Sequence, residues 1–352
     1  MGILVAILVL SVLIVIHELG HFLAARLMGV TVEVFSLGFG KRLWAKKIGA
    51  TEWRVSAFWI GGYVQMKGQN DADPTARSGE PDAYDSKKPW RRIFILFAGP
   101  FANFVLAFFL FLWAALIGYE TLAPVIGKIM PDSPAEKAGL IVGDRVIAIN
   151  KSPIASWNEL SDTIRASEGE VELLVDRAGE KLTLILKPEL AESQNIFGEK
   201  EQRKMIGISP SGAFVAQSFN ISGAIAEAWD RTIFASTIIF QSVIKLISGA
   251  ISPDNVGGVI TIVDLTSKAS EIGIAALLMF SALISVNLGV LNLLPIPALD
   301  GGHIMFNIYE QIARRAPSEK ALYRMTYAGW VVLGALMLLG LYNDIARLTG
   351  KG

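Results

Sequence analysis

Two histidines and a glutamate near the N-terminus have the spacing of a metal-dependent hydrolytic site. His17, Glu18 and His21 form an H-E-x-x-H pattern within His17-Glu-Leu-Gly-His21. Residues four apart share one face of a helix, so both imidazoles can bind one metal ion. Zn²⁺ binds neutral imidazole and, with a position left open, activates a bound water as the nucleophile. We therefore predict His17 and His21 as ligands of Zn²⁺ and Glu18 as the general base.

The predicted site needs a third ligand, and the chain contains few residues able to supply it. It has no Cys and only three His, which excludes thiolate ligands. The segment from Asn292 to His303 has two helix-breaking prolines, followed by Asp300, the first acidic residue after 28 uncharged ones. The Gly301-Gly302 pair allows close backbone approach. Asp300 and His303 both remain candidates, and Asp300 as a simple helix N-cap is the structural alternative.

The composition places these residues in a membrane protein. Hydrophobic residues make up 52% of the 352 residues, and 32 Lys+Arg balance 32 Asp+Glu. This is too apolar for an ordinary soluble enzyme, and the zero net charge gives no indication of a nucleic-acid partner. A helix of about 20 apolar residues spans the hydrocarbon core. Four stretches qualify: Gly2 to Ala25, Ile93 to Gly118, Ile272 to Leu299, and Met325 to Tyr342.

Basic residues near the ends of these stretches predict the orientation in the membrane. They cluster in three places: Lys41, Arg42, Lys46 and Lys47; Lys87, Lys88, Arg91 and Arg92; Arg314, Arg315, Lys320 and Arg324. The positive-inside rule makes these regions cytoplasmic and segment 119–271 extracytoplasmic. The 13 apolar residues of 232–244 are then expected to form an outer-face amphipathic helix. A crossing there would separate Asp300 from His17 and His21 by the thickness of the membrane.

The first cytoplasmic loop, residues 30–66, is rich in β-forming residues and glycine. Because an unpaired strand edge in lipid is very costly, we expect its strands to face a protein-lined cavity. The segment around Gly38, Phe39 and Gly40 is therefore a candidate for holding extended substrate backbone, together with Tyr63 to Met66.

The extracytoplasmic segment contains a soluble domain. Ser133 to Leu140, followed by Gly143 to Asn150, resembles a bacterial PDZ domain, and the resemblance covers about residues 121–212. Such a domain captures an extended peptide, often a C-terminus, by adding a strand to a sheet edge. The alternative is a PDZ-like spacer that binds nothing.

Several motifs together resemble the site-2 protease family of intramembrane zinc metalloproteases. They are His17 to His21, Gly38 to Gly40, Ala98-Gly-Pro-Phe-Ala-Asn103, and Asn292 to His303. The resemblance implies that Asp300 is the third ligand and His303 a supporting or packing residue. It further implies that Asn287 and Asn292 position the substrate and that Asn103 belongs to the cavity wall; a helix–helix hydrogen bond is the alternative for Asn103. The implied substrates are single-span membrane proteins, such as anti-sigma factors or signal-peptide remnants.

We therefore expect a mainly α polytopic membrane protein with four transmembrane helices, a membrane-associated β-hairpin region and an inserted α+β PDZ domain. The expected parts are 1–118, 121–212, a connector 213–271, and 272–352. The expected location is the bacterial inner membrane, with the lipid bilayer, substrates and peptide C-termini as partners. Two alternatives remain: a catalytically silent PDZ scaffold that binds C-termini, and a metal transporter. The intact Glu18 argues against the first, and the single His/Asp cluster against the second.

Overall fold

The computed structural model describes residues 2–69 and 78–350. The chain divides into two compact units, Met1–Ala114 with Ile225–Gly352, and Ala115–Ala224. The helices are α1 Gly2–Leu27, α2 Pro89–Ile117, α3 Pro134–Lys137, α4 Trp157–Ala166, α5 Ile221–Ile247, α6 Val259–Ile272, α7 Ile274–Asn292, α8 Asp300–Ala313 and α9 Glu319–Leu348. The strands are β1 Val32–Ile48, β2 Thr51–Met66, β3 Tyr119–Leu122, β4 Ile126–Ile129, β5 Arg145–Ile149, β6 Ser152–Pro153, β7 Val171–Arg177, β8 Glu180–Leu186, β9 Glu189–Gln194, β10 Lys200–Met205, β11 Ile208–Pro210 and β12 Phe214–Gln217.

Among the described residues, four helices are long and apolar enough to cross a membrane: α1, α2, α7 and α9. Each of them overlaps one of the four apolar stretches of the sequence, so the prediction of four candidate spans is confirmed. The third stretch is interrupted at Gly273, where α6 ends and α7 begins. With φ of 144° at this residue, glycine is the one amino acid that adopts the turn without strain.

Helix α5 is longer than the apolar stretch 232–244 that lies within it. Its 27 residues begin at Ile221, and before residue 232 Glu227 and Arg231 form an i,i+4 ion pair that favours a continuous helix. Ala228 and Ala235 are buried in one cluster with Ala107 of α2 and Ala282 of α7. Small side chains at these points allow the backbones to approach closely. Helix α5 therefore packs against two of the candidate spans.

Strands β1 and β2 each bend partway along their length, so that different parts of the same strand pair at different places in one small sheet. Residues 34–37 pair with residues 62–65 on one side and with residues 52–55 on the other. Residues 44–48 pair in turn with residues 51–55. The sheet therefore has four short segments, and residues 62–66 form one of its edges. No described strand pairs with the outer side of that edge.

Helix α6 packs against the start of α1, at the end of the first unit where Gly2 lies. A Cβ atom placed on Gly2 would lie 1.7 Å from Ser267 Oγ, so glycine lets the start of α1 pack directly against the Ser267 side chain of α6. The Asp344 carboxylate of α9 accepts hydrogen bonds from the Gly258, Ile260 and Thr261 amides at the start of α6. At a rise of 1.5 Å per residue, this end lies roughly 20 Å along α1 from His17.

The second unit has its own apolar core. A four-stranded sheet in the order β6-β5-β7-β8 packs on α4, and β4 pairs with β11. The alternation of buried and exposed residues along β7 is that of a half-buried strand. Side chains from the sheet, α4 and the segment before β11 are almost completely buried in this core, including Val146, Leu160, Leu173 and Ile206.

Candidate metal centre

Three side chains of the first unit converge on one point. Nε2 of His17 and Nε2 of His21 lie 3.1 Å apart. Asp300 Oδ2 lies 3.3 Å from His17 Nε2 and 3.4 Å from His21 Nε2. Among the described residues, these form the group of His and carboxylate side chains close enough to hold one metal ion. The structure thus brings together the two predicted histidines and Asp300.

The local sequence explains how Asp300 reaches the histidines. Helix α7 ends at Asn292, two prolines follow, and Asp300 begins α8. A Cβ atom on Gly301 would lie 2.3 Å from the Leu294 carbonyl oxygen, and one on Gly302 would lie 2.3 Å from that of Ile296. Both glycines therefore let the first turn of α8 fold tightly against the preceding loop, which directs the Asp300 carboxylate toward α1.

The donor set fits a zinc ion. His21 Nδ1 lies 2.9 Å from the Ile95 carbonyl oxygen, which can only accept a hydrogen bond. The proton of a neutral His21 is therefore on Nδ1, and Nε2 keeps its lone pair. Asp300 Oδ2 is buried and has no hydrogen-bond donor among the described residues. Lone pairs that converge in this way without donors need a cation, and two imidazoles with one carboxylate form a set of zinc ligands.

Helix α2 forms a wall against both histidines. A Cβ atom on Gly99 would lie 2.2 Å from His21 Nε2, and one on Gly20 would lie 2.3 Å from the Ala98 carbonyl oxygen. Glycine at these two positions lets α1 and α2 touch at the level of the site. One turn after Gly99, the buried Asn103 side chain lies 3.2 Å from His17 Nδ1.

The converging ligands open into a cavity of about 320 Å³. Glu18 lines it beside the histidines, as its position next to His17 predicts. The sheet edge contributes Gly62, Tyr63, Val64 and Met66, and α9 contributes Thr326 and Trp330. A Cβ atom on Gly62 would lie 3.6 Å from Glu18 Cγ, so the edge passes directly beside the predicted general base.

The remaining predicted residues are distributed unevenly. Phe39, Asn292 and His303 line the cavity, whereas Asn287, Gly38 and Gly40 are not among its lining residues. Gly38 and Gly40 have φ of 88° and 85° and form the corner at which β1 changes its pairing partner. They let the strand bend at this corner. Between them, the Phe39 ring stacks on Tyr63 with ring centroids 6.0 Å apart.

Several residues of the cavity and its wall receive no role from the sequence, among them Thr326, Trp330 and Gly99. Thr326 and Trp330 lie in the fourth apolar stretch, and nothing in their types or spacing sets them apart from lipid-facing residues. Gly99 offers a signal, because it precedes Asn103 by four residues and therefore shares its helix face.

A helix-borne H-E-x-x-H, a carboxylate from a second segment and four apolar helices together define a membrane-type metalloprotease. Residues 5–336 match peptidase family M50, and the chain belongs to that family. It is 43% identical to a candidate zinc metalloprotease of Campylobacter jejuni, over 99% of this chain and 94% of the relative. Similar proteins in Helicobacter pylori and Agrobacterium fabrum are 38% and 33% identical, each over 98% of this chain and 99% and 95% of the relative. The chain is thus a zinc-dependent metalloprotease.

Proposed function

We propose that this protein is an intramembrane endopeptidase that cuts single-span membrane proteins after adding their unwound backbone to the sheet edge at residues 62–66. The proposal depends on one observation: the edge, Glu18 and the three predicted ligands line one cavity between apolar helices. Anti-sigma factors and signal-peptide remnants are the proposed substrates, and the bacterial inner membrane is the proposed location. On this proposal the chain resembles the bacterial regulator-of-sigma-E protease, but has a single PDZ domain where that protein has two.

The edge solves the main difficulty of cutting a membrane helix. The carbonyl groups of a helical substrate are already hydrogen-bonded, and unwinding it in a dry environment leaves polar groups without partners. An unpaired strand edge offers donors and acceptors in the pattern that an extended segment needs. Asn292, on the cavity wall, can bond further substrate backbone, and we assign the same role to Asn287 one and a half turns earlier in α7.

Each residue then has a separate task. His17, His21 and Asp300 hold zinc, which supplies Lewis-acid chemistry when bound by polarising the scissile carbonyl and lowering the pKa of a water molecule. Glu18 accepts the proton of the attacking water and passes it to the leaving amine. Phe39 and Tyr63 stack on each other at the edge, where they can contact the side chains of the substrate.

The test of the proposed base is Glu18→Gln. This change keeps the size of the side chain but removes its basicity, so peptide cleavage should fall by roughly 10²- to 10⁴-fold. Zinc content, measured by atomic absorption on protein purified in detergent, should stay near that of the wild type. Cleavage of a single-span model substrate at close to the wild-type rate would refute the assignment.

Strand addition is tested on the substrate. Replacing one backbone N–H near the scissile bond by N–CH₃ removes a donor without changing the side chain. We expect roughly a 5- to 150-fold loss of cleavage, because one buried carbonyl on the edge is left unpaired at a cost of about 1–3 kcal/mol. The control has the same N-methyl group ten residues away, outside the paired segment. Equal rates for both peptides would exclude pairing along residues 62–66.

We further propose that the second unit is the PDZ domain and binds peptide C-termini. A groove of about 330 Å³ lies between α4 and β11, lined by Trp157, Ser161, Ile164 and Ile208. Strand β11 pairs with β4 on one side, and a peptide strand would add on its other side, which faces α4. Arg165 and Arg203 at the rim favour a carboxylate.

The groove is tested by filling it. Ser161→Trp puts an indole into the groove, while the control Asp162→Trp puts one on the exposed adjacent position. Binding of a fluorescent C-terminal peptide to the full protein should be lost only in Ser161→Trp. Deletion of residues 121–212 tests the proposed filter, because it should admit substrates that still have their outer domain.

A further inference from the structure

The Asn103 side chain is fully buried beside the predicted zinc ligand His17. Its amide Nδ2 atom is placed 3.2 Å from His17 Nδ1, on the side of the ring opposite the converging Nε2 atoms. The backbone carbonyl of Asn103 is itself held in place, because it accepts a hydrogen bond of 2.8 Å from Ser285 Oγ of α7. A rigidly held polar group thus faces the one ring nitrogen of His17 that the metal site does not use.

The position of the single N–H proton on the His17 ring decides whether the amide oxygen or the amide nitrogen of Asn103 faces Nδ1. A neutral imidazole has one N–H, and His17 can give Nε2 to a metal only when that proton is on Nδ1. Nδ1 then needs an acceptor, which is the amide oxygen. In the orientation placed, the amide NH₂ faces Nδ1, which would force the proton onto Nε2 and leaves Asn103 Oδ1 buried without a partner. Exchanging the amide oxygen and nitrogen removes both defects. The two orientations have nearly the same shape, so the hydrogen-bond pattern selects between them.

We propose that Asn103 is a positioning residue that accepts a hydrogen bond from His17 Nδ1–H through Oδ1 and so holds His17 in its metal-binding tautomer. The inference rests on the proposed ligand set His17, His21 and Asp300. It completes a symmetry, because the Ile95 carbonyl oxygen holds Nδ1 of His21 in the same way at 2.9 Å. Ile95, Gly99 and Asn103 follow one another at intervals of four residues, so one face of α2 orients both rings.

The first test uses the small number of histidines in the chain. With only three His, ¹⁵N-imidazole correlation spectra of the full protein in detergent micelles resolve each ring and its tautomer. In zinc-free protein we expect His17 as the Nδ1–H tautomer, shifted toward Nε2–H in Asn103→Leu. The Nε2–H tautomer in zinc-free wild-type protein would overturn the proposal.

The second test is zinc affinity, measured by competition with a chelator. Asn103→Leu keeps the volume but has no acceptor, and should bind zinc about 10- to 100-fold more weakly. Asn103→Asp, which has only acceptors, should stay close to the wild-type affinity. Asn343→Leu removes a buried amide that donates to the Pro253 and Val256 carbonyls far from the site, and should lower stability without changing zinc affinity.

These outcomes separate the inference from the proposed function. Wild-type protein that binds no zinc would refute the ligand set itself. Wild-type protein that binds zinc as tightly as Asn103→Leu would refute only the role of Asn103 and leave it as a helix-packing residue. Loss of zinc binding in both Asn103→Leu and Asn103→Asp would likewise mean that packing, and not the acceptor, is what matters.

Discussion

Asp300 Oδ2 lies 3.3 Å from His17 Nε2, although the two residues are near opposite ends of the chain. The contact joins the first apolar helix to the turn that follows the third, and both polar groups lie between apolar helices. A buried carboxylate next to two imidazoles is costly unless a cation or a proton neutralises it. The relationship therefore marks the place where we expect the metal to bind.

Asp300 and His303 should differ sharply as zinc ligands. Asp300→Asn removes the anionic ligand and should lower zinc affinity by at least about 100-fold, because two neutral imidazoles alone bind zinc weakly. His303→Asn should leave zinc bound, since its ring only lines the cavity. Equilibrium dialysis against a zinc buffer measures both. The reverse result would make His303 the third ligand.

Gly99 should tolerate no side chain. Gly99→Ala places a methyl group 2.2 Å from His21 Nε2, so the ring must move out of its position. Overpacking of this kind costs about 1–3 kcal/mol, which corresponds to roughly a 5- to 150-fold loss of zinc affinity if the strain falls on the ligand. The control is Gly334→Ala in α9, where a Cβ atom meets nothing within 4 Å. Equal zinc affinity in both variants would contradict the close contact between α1 and α2.

Asp344 should stabilise the junction of α9 and α6. Its carboxylate accepts three backbone N–H bonds and one from Thr261 Oγ1, which together cap the N-terminus of α6. Asp344→Ala should lower the free energy of unfolding by about 1–3 kcal/mol, measured by thermal unfolding in detergent. Lys268→Ala is the control, because it breaks only an exposed i,i+4 pair with Asp264. It should change the free energy of unfolding by less than about 0.5 kcal/mol.

The second unit should lose stability in acid through Asp144. Its buried carboxylate accepts two bonds of 2.8 Å from Arg177 and one of 2.9 Å from the Ile141 amide. Burial alone raises the pKa of Asp144, but Arg177 and the Ile141 amide outweigh burial and hold this pKa below its usual value of 3.8. Because the folded pKa is the lower one, the stabilisation is complete above the unfolded value and disappears as pH falls through the folded pKa.

Amide-exchange protection of β5 and β7, corrected for the intrinsic rate at each pH, measures this effect. Protection in the wild type should fall on acidification below about pH 4. Asp144→Asn should remove this part of the pH dependence. It should also lower the free energy of unfolding by about 3 kcal/mol at neutral pH, because Arg177 loses its charged partner. Asp162→Asn, which affects an exposed pair with Arg165 at 3.7 Å, should follow the wild type. Identical pH profiles for Asp144→Asn and the wild type would exclude the assignment.

The amino-acid sequence by itself determined the features that depend on local order. Four apolar stretches predict four candidate spans, because the length of hydrocarbon to be crossed is fixed. The i,i+4 spacing of His17 and His21 places both rings on one helix face, whatever the rest of the chain does. The prolines before Asp300 likewise predict the end of α7 close to where it ends.

Tertiary structure alone decided the contacts that join distant segments. It selected Asp300 over His303 for the position against the histidines, and it brought residues 62–66 beside Glu18 while leaving Gly38 and Gly40 as a corner of the sheet. It also gave Gly99 and Asn103 their places against the two rings. The physical reason is that helix and strand periods repeat over a few residues, whereas these contacts depend on which faces of separate helices meet. That choice is made by the packing of the whole apolar assembly, in which glycine positions allow some backbones to touch and keep others apart.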